Sequence, residues 1–211
     1  MKSRRFLVHA AIVAGCGLFS TASHAVLITN SDAYNFDWSY DSGAAGILSG
    51  TGNLRVAGFG STSLTVAVTL NNASSPASDR LTSFGFGIDP NATAVSFADT
   101  ADGGLINVTL GSIPSLATIE VCAFGGPNCS GGGNGGILGG ASDSFQLILT
   151  GTWGSSVNIA PIGFKYQTGA GSFEFTTDRP PPTSVPEPAT LSLLGAGLIA
   201  IGFTRRRRRA S

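Results

Sequence analysis

Leu64-Thr65-Val66-Ala67-Val68-Thr69-Leu70 decides the fold class. Leu64, Val66, Val68 and Leu70 alternate with Thr65, Ala67 and Thr69. A period of two places the first set on one face of a strand and the second on the other. The same period recurs on both sides. Upstream, Phe36, Trp38 and Tyr40 share a face opposite Asp37, Ser39 and Asp41; Gly43 to Gly46 turns the chain, and 47–59 reads as a long, glycine-interrupted strand or hairpin. Downstream, Asn71 to Asp79 reads as a polar loop around Pro76, and Phe84, Phe86 and Ile88 alternate with Gly85 and Gly87 up to the turn residues Asp89-Pro90-Asn91. Val95 and Phe97 form a short strand, and Ile106, Val108 and Leu110 another. Ile119, Val121 and Ala123 face away from Glu120 and Cys122. Gly125 to Gly140 reads as a glycine-rich loop stapled at its start by Cys129, with Gly131 to Gly136 a flexible surface stretch, and Phe145-Leu147-Leu149, Phe164-Tyr166 and Phe173-Phe175 mark the last strands. No sustained 3.6-residue period and no fixed repeat interrupts this pattern. Nine to eleven short strands predict an all-β fold: a single antiparallel β-sandwich or jelly-roll-like domain over 26–177.

The two ends follow other rules. Lys2, Arg4 and Arg5 precede an apolar run from Phe6 to Phe19, and Ser23-His24-Ala25 supplies small residues for a signal peptidase. Residues 1–25 read as a secretory signal peptide cut between Ala25 and Val26. Val13-Ala14-Gly15-Cys16 resembles a lipobox, but apolar sequence continues past Cys16 to the second cleavage site.

After a proline-rich linker at 178–184 come Val185-Pro186-Glu187-Pro188, an uncharged run from Ala189 to Phe203, and the basic stop Arg205, Arg206, Arg207, Arg208 and Arg209. As a helix the run is about 22 Å long, a marginal span for a hydrocarbon core of roughly 30 Å. The prolines hold the junction before it extended, and the arginines stop transfer on the cytoplasmic side. A readable motif, a short span and a basic end make a transferable anchor, like other removed C-terminal signals. This tail, 185–209, resembles that of the PEP-CTERM proteins. The resemblance implies an exosortase as processing partner in a Gram-negative bacterium, transient membrane attachment through the C-terminal transmembrane helix, and delivery to the cell surface or extracellular matrix. Ser83-Phe84-Gly85-Phe86, Ile119-Glu120-Val121-Cys122-Ala123-Phe124, Asn128-Cys129-Ser130-Gly131-Gly132 and Phe164-Lys165-Tyr166-Gln167 resemble the passenger of the cistern family of PEP-CTERM proteins. That resemblance implies a small exported domain with a cysteine-bounded glycine loop and no known activity.

Removing both signals changes the charge. Val26 to Val185 carries four cations against eleven anions, a net −7, so nucleic acid is excluded as a partner. Two cysteines remain, Cys122 and Cys129, and an even count in an exported chain implies a disulfide. Closing so short a loop stabilises by about 2.5 kcal/mol in the chain-entropy treatment. A metal site lacks ligands, since His9 and His24 both lie in the signal peptide.

The remaining constellations are weak. Lys165 is the only lysine of the mature region and reads as a solvated outward face. Asp37 with Asp41, or Glu120 with Glu174, are the carboxylate pairs a glycosidase-like hydrolase would use, but ordinary surface charge explains them. Asp99 with Asp102, or Asp32 with Asp37, offer oxygens to calcium without the spacing of a helix-loop-helix site. Trp38, Tyr40 and Trp153 suit sugar stacking, although Phe36-Trp38-Tyr40 reads first as a core face. Gly131 to Gly136 lacks the Lys-Ser/Thr and βαβ setting of a phosphate loop. The sequons at Asn72, Asn91 and Asn107 read as ordinary loop and strand residues. The expectation is a non-catalytic surface or matrix protein without a cofactor. The alternatives are a carbohydrate- or calcium-binding module that meets extracellular polysaccharide, or a hydrolase.

Overall fold

The structure, a computed structural model, describes residues 26–29, 32–99 and 104–177. The signal peptide, its cleavage site on the Ala25 side, the linker at 178–184 and the sorting segment at 185–209 lie outside these residues, as does Asp102.

The described chain is all-β. Twelve strands follow in order: β1 (Val26–Ile28), β2 (Ala33–Asp41), β3 (Ile47–Phe59), β4 (Ser63–Asn72), β5 (Arg80–Asp89), β6 (Ala94–Asp99), β7 (Asn107–Leu110), β8 (Val121–Phe124), β9 (Ile137–Leu138), β10 (Ser142–Thr150), β11 (Val157–Thr168) and β12 (Gly171–Thr177). The five-stranded sheet runs β2-β3-β4-β10-β6, and the seven-stranded sheet runs β1-β11-β5-β8-β7, with β12 added on β11 and β9 on β5. All pairings between strands are antiparallel.

The opening stretch behaves as its alternation requires. On β4, Leu64, Val66, Val68 and Leu70 are buried, and Thr65, Ala67 and Thr69 face outward. Residues 47–59 form one strand, β3, which pairs with β2 on one side and β4 on the other. The inner faces of the two sheets meet in a single aromatic core, so the architecture is a sandwich. Trp38 of β2 stacks on Phe164 of β11 with ring centroids 4.3 Å apart. Phe36 lies 6.0 Å from Phe84, and Tyr40 stacks on Phe175 at 4.5 Å. Two glycines make room for this. Gly50 and Gly52 sit directly across from Trp38 and Phe36, whose rings lie where a Cβ would be, 2.2 Å away in each case. The glycine interruptions of β3 are therefore slots for the aromatic rings of its neighbour.

Three expectations need correction. Ile119 does not face the same way as Val121 and Ala123. It packs in a second cluster with Ile113, Cys122, Phe124 and Cys129, because β8 begins only at Val121 and the turn before it resets the alternation. The 106–110 segment does not present a buried face. β7 is an edge strand, Ile106 is 53% exposed, and within that row Val108 alone packs on the core. The third correction concerns the glycine-rich loop. It contains β9, which pairs Ile137 with Leu81 and Leu138 with Arg80, and Gly125 N–H donates to the Thr82 carbonyl (3.0 Å).

Candidate functional site

The most built-up feature outside the core is a roof over the outer face of the seven-stranded sheet. It begins with the unusual burial of β5, in which every residue from Leu81 to Ile88 is inaccessible. An alternating strand normally leaves one face wet. Here Ile113, Leu116, Ile119, Cys122, Phe124 and Cys129 form a small apolar layer on that outer face. Cys122 and Cys129 are bridged, with Cα atoms 6.2 Å apart, and so tie the roof to β8. Phe-Gly-Phe-Gly on β5 now has a physical meaning: phenylalanines point into the core, and glycines lie under the roof. A Cβ on Gly85 would come within 2.5 Å of both Ile119 Cγ2 and the Val121 carbonyl oxygen. Gly85→Val is expected to cost about 1–3 kcal/mol through this overpacking. A urea unfolding midpoint equal to that of the unsubstituted protein would disprove the close approach.

Beneath the same roof lies Lys165. The sequence pattern placed it on a solvated face. It does point outward from β11, but it is only 5% exposed and pairs with Glu174, its cross-strand neighbour on β12. The cause is the glycine loop. A Cβ on Gly131 would lie 2.9 Å from Lys165 Cε, so the loop backbone rests directly on the lysine stem. An irregularity at Thr82 turns two consecutive β5 residues toward the loop. Thr82 Oγ1 donates to the Lys165 carbonyl (3.1 Å), and Ser83 Oγ donates to the Cys129 carbonyl (3.1 Å).

A second polar assembly is buried at one end of the sandwich. Trp38 Nε1–H donates to the Tyr166 hydroxyl (2.9 Å), which donates to Asn72 Oδ1 (3.0 Å). The Asn72 amide donates to the carbonyls of Ile137 (2.8 Å) and Asp79 (3.2 Å). Burial pushes the Tyr166 pKa up to about 12, against the lowering effect of its hydrogen bonds. Burial, with Asp37 nearby, pushes Tyr34 up to about 12. The segment read as a polar loop at 71–79 is thus partly interior: Asn72, Ser74 and Asp79 are all buried. The Asn72 sequon is engaged in this network rather than displayed.

The other candidate residues are not brought together. Asp37 and Asp41 lie exposed on one face of β2, four residues and about 13 Å apart, beyond the separation of paired catalytic carboxylates. Glu120 accepts the Ile88 N–H (3.2 Å), while Glu174 is held by Lys165. Asp32 accepts from Thr29 N–H and Oγ1–H (2.6 Å each), which lowers its pKa, and it does not join Asp37. Among the described residues, no three His, Cys, Asp or Glu side chains are placed to hold a metal ion. Trp38 and Trp153 are buried and Tyr40 is half-buried against Phe175, so the three offer no open stacking platform. Sequence reading missed the roof and the buried network. The small residues Ser83, Gly85 and Gly87 at successive outward positions of β5, with Gly163 opposite Gly85 on β11, were the available sign of a covering layer.

The chain itself is recognised at its tail. Residues 184–209 match the family model of the PEP-CTERM protein-sorting motif. The match spans Val185-Pro186-Glu187-Pro188, the apolar run and the arginine cluster, and it implies export through the membrane with an exosortase as processing partner. No curated protein and no solved structure matches the chain.

Proposed function

We infer that this exosortase-sorted chain delivers a non-catalytic β-sandwich to the cell surface or extracellular matrix of a Gram-negative bacterium. In this reading residues 1–25 direct export and are removed. The helix at 189–203 holds the protein briefly in the inner membrane, and exosortase cuts near Pro186 to Pro188. The body, 26–177, is a passenger of the cistern kind. The observation that carries the reading is the motif match at 184–209. The commitments of the polar side chains support a non-catalytic role: Lys165 and Glu174 neutralise each other, Glu120 and Asp32 bind backbone, and the aromatics build the core.

Intact mass of the exported product tests it, measured from cells with and without the transferase. The expected product in transferase-positive cells lacks Arg205 to Arg209, and in transferase-negative cells it retains them. Exported protein that keeps the arginine cluster in the presence of the enzyme overturns the sorting reading.

A further inference from the structure

One carboxyl group, that of Asp79, is buried beside the polar network. Asp79 is 1% exposed, and among the described residues its Oδ2 finds no hydrogen-bond partner. Its backbone is the knot of two segments. Asp79 N–H donates to the Pro76 carbonyl (3.0 Å), while its own carbonyl accepts from Gly139 N–H (2.9 Å) and from the Asn72 amide. Gly140 N–H donates to the Asn72 carbonyl (2.6 Å), and Ser74 N–H to Asn72 Oδ1 (3.1 Å). A charged carboxylate in this position keeps one oxygen, Oδ2, buried without a donor among the described residues, whereas a protonated one leaves no buried charge.

Among the described residues its surroundings offer it no cation. From β11 it faces the Tyr166 hydroxyl, which its charge disfavours ionising. β10 contributes a buried acid rather than a cation: Asp143, whose Oδ2 accepts the Leu105 N–H (2.8 Å) and whose Oδ1, among the described residues, is also unpartnered. β4, the segment after it and β9 contribute uncharged Asn72, Ser74 and Ile137. Arg80, the next residue, is spent on the Asn134 carbonyl (2.7 Å), and Lys165 on Glu174. We propose that Asp79 is a proton-operated latch: protonated, it holds segments 73–79 and 136–141 on the end of the sandwich, and ionised, it releases them.

The direction follows from linkage. Burial raises the Asp79 pKa in the closed state, so closure is favoured most below the ordinary carboxylate pKa and loses that support as pH rises through the raised value. Between the two, the opening constant rises about tenfold per pH unit and then levels. Hydrogen exchange of the exported protein between pH 4 and 9, corrected for intrinsic exchange rates, reads this constant at the Ser74, Asp79, Gly139 and Gly140 amides. The expected result is a rise with pH at these four amides, absent from the β3–β4 ladder, abolished in Asp79→Asn and retained in Asp143→Asn. A flat profile in the unsubstituted protein overturns the latch. So does an equal rise in Asp79→Asn, a rise abolished by Asp143→Asn, or a rise shared by the β3–β4 ladder. The unsubstituted profile decides even if the Asp79 variant does not fold. Failure here leaves the sorting reading untouched, because that reading is judged by the mass of the tail.

Discussion

Glu174→Ala is expected to destabilise the domain by about 3–5 kcal/mol, the range for stranding one partner of a buried ion pair. The size comes from Lys165. Its stem is covered by Gly131, and Glu174 is the acid in its cross-strand position. Removing Glu174 leaves a cation under the roof with its charge uncompensated. Replacing both residues at once, Lys165→Met with Glu174→Leu, is expected to be close to neutral, because apolar side chains of similar volume fill the same space without a desolvation penalty. Urea unfolding curves with unchanged slopes compare the variants. A loss below about 0.5 kcal/mol for Glu174→Ala would be the behaviour of an exposed pair and would show that the roof does not exclude water.

The second large effect belongs to Phe164. It is fully buried at the junction of the sheets and touches the rings of Phe36, Trp38, Phe84 and Phe175. Phe164→Ala is expected to cost about 3–5 kcal/mol, combining lost apolar burial with a cavity that four rigid rings cannot collapse to fill. Ile47 provides the contrast: it is 51% exposed, and Ile47→Ala is expected within about 0.5 kcal/mol of the unsubstituted protein. Equal effects at the two positions would mean that the aromatic stack is not the centre of the core.

How legible this was in the sequence depends on what each residue answers to. The β4 alternation was sufficient because both of its faces meet generic environments, the core on one side and water on the other. Phe36, Trp38 and Tyr40 were legible for the same reason. Lys165 was not. Its burial is decided by Gly131, thirty-four positions earlier, and no local period records that contact. Asp79 and Asn72 likewise looked like loop residues, since polarity normally marks exposure and here marks an interior network, satisfied at Asn72 and left short at the Asp79 carboxyl. The bridge between Cys122 and Cys129 was readable from export and an even count, but its task of fastening an apolar roof became visible only with the outer face of β5 in view. The tail was readable because its three parts have one order and one purpose, and it needs no tertiary context.

The order of the seven-stranded sheet bears on export itself. β5, at 80–89, has β11, at 157–168, as its neighbour across the middle of that sheet. A chain threaded amino end first delivers β2, β3 and β4 early, and these can zip as successive hairpins. β5 must then wait, with its backbone unpaired on that side, until some seventy further residues have emerged. For a chain delivered in that order, the sandwich can close only when the segment adjoining the sorting motif has arrived.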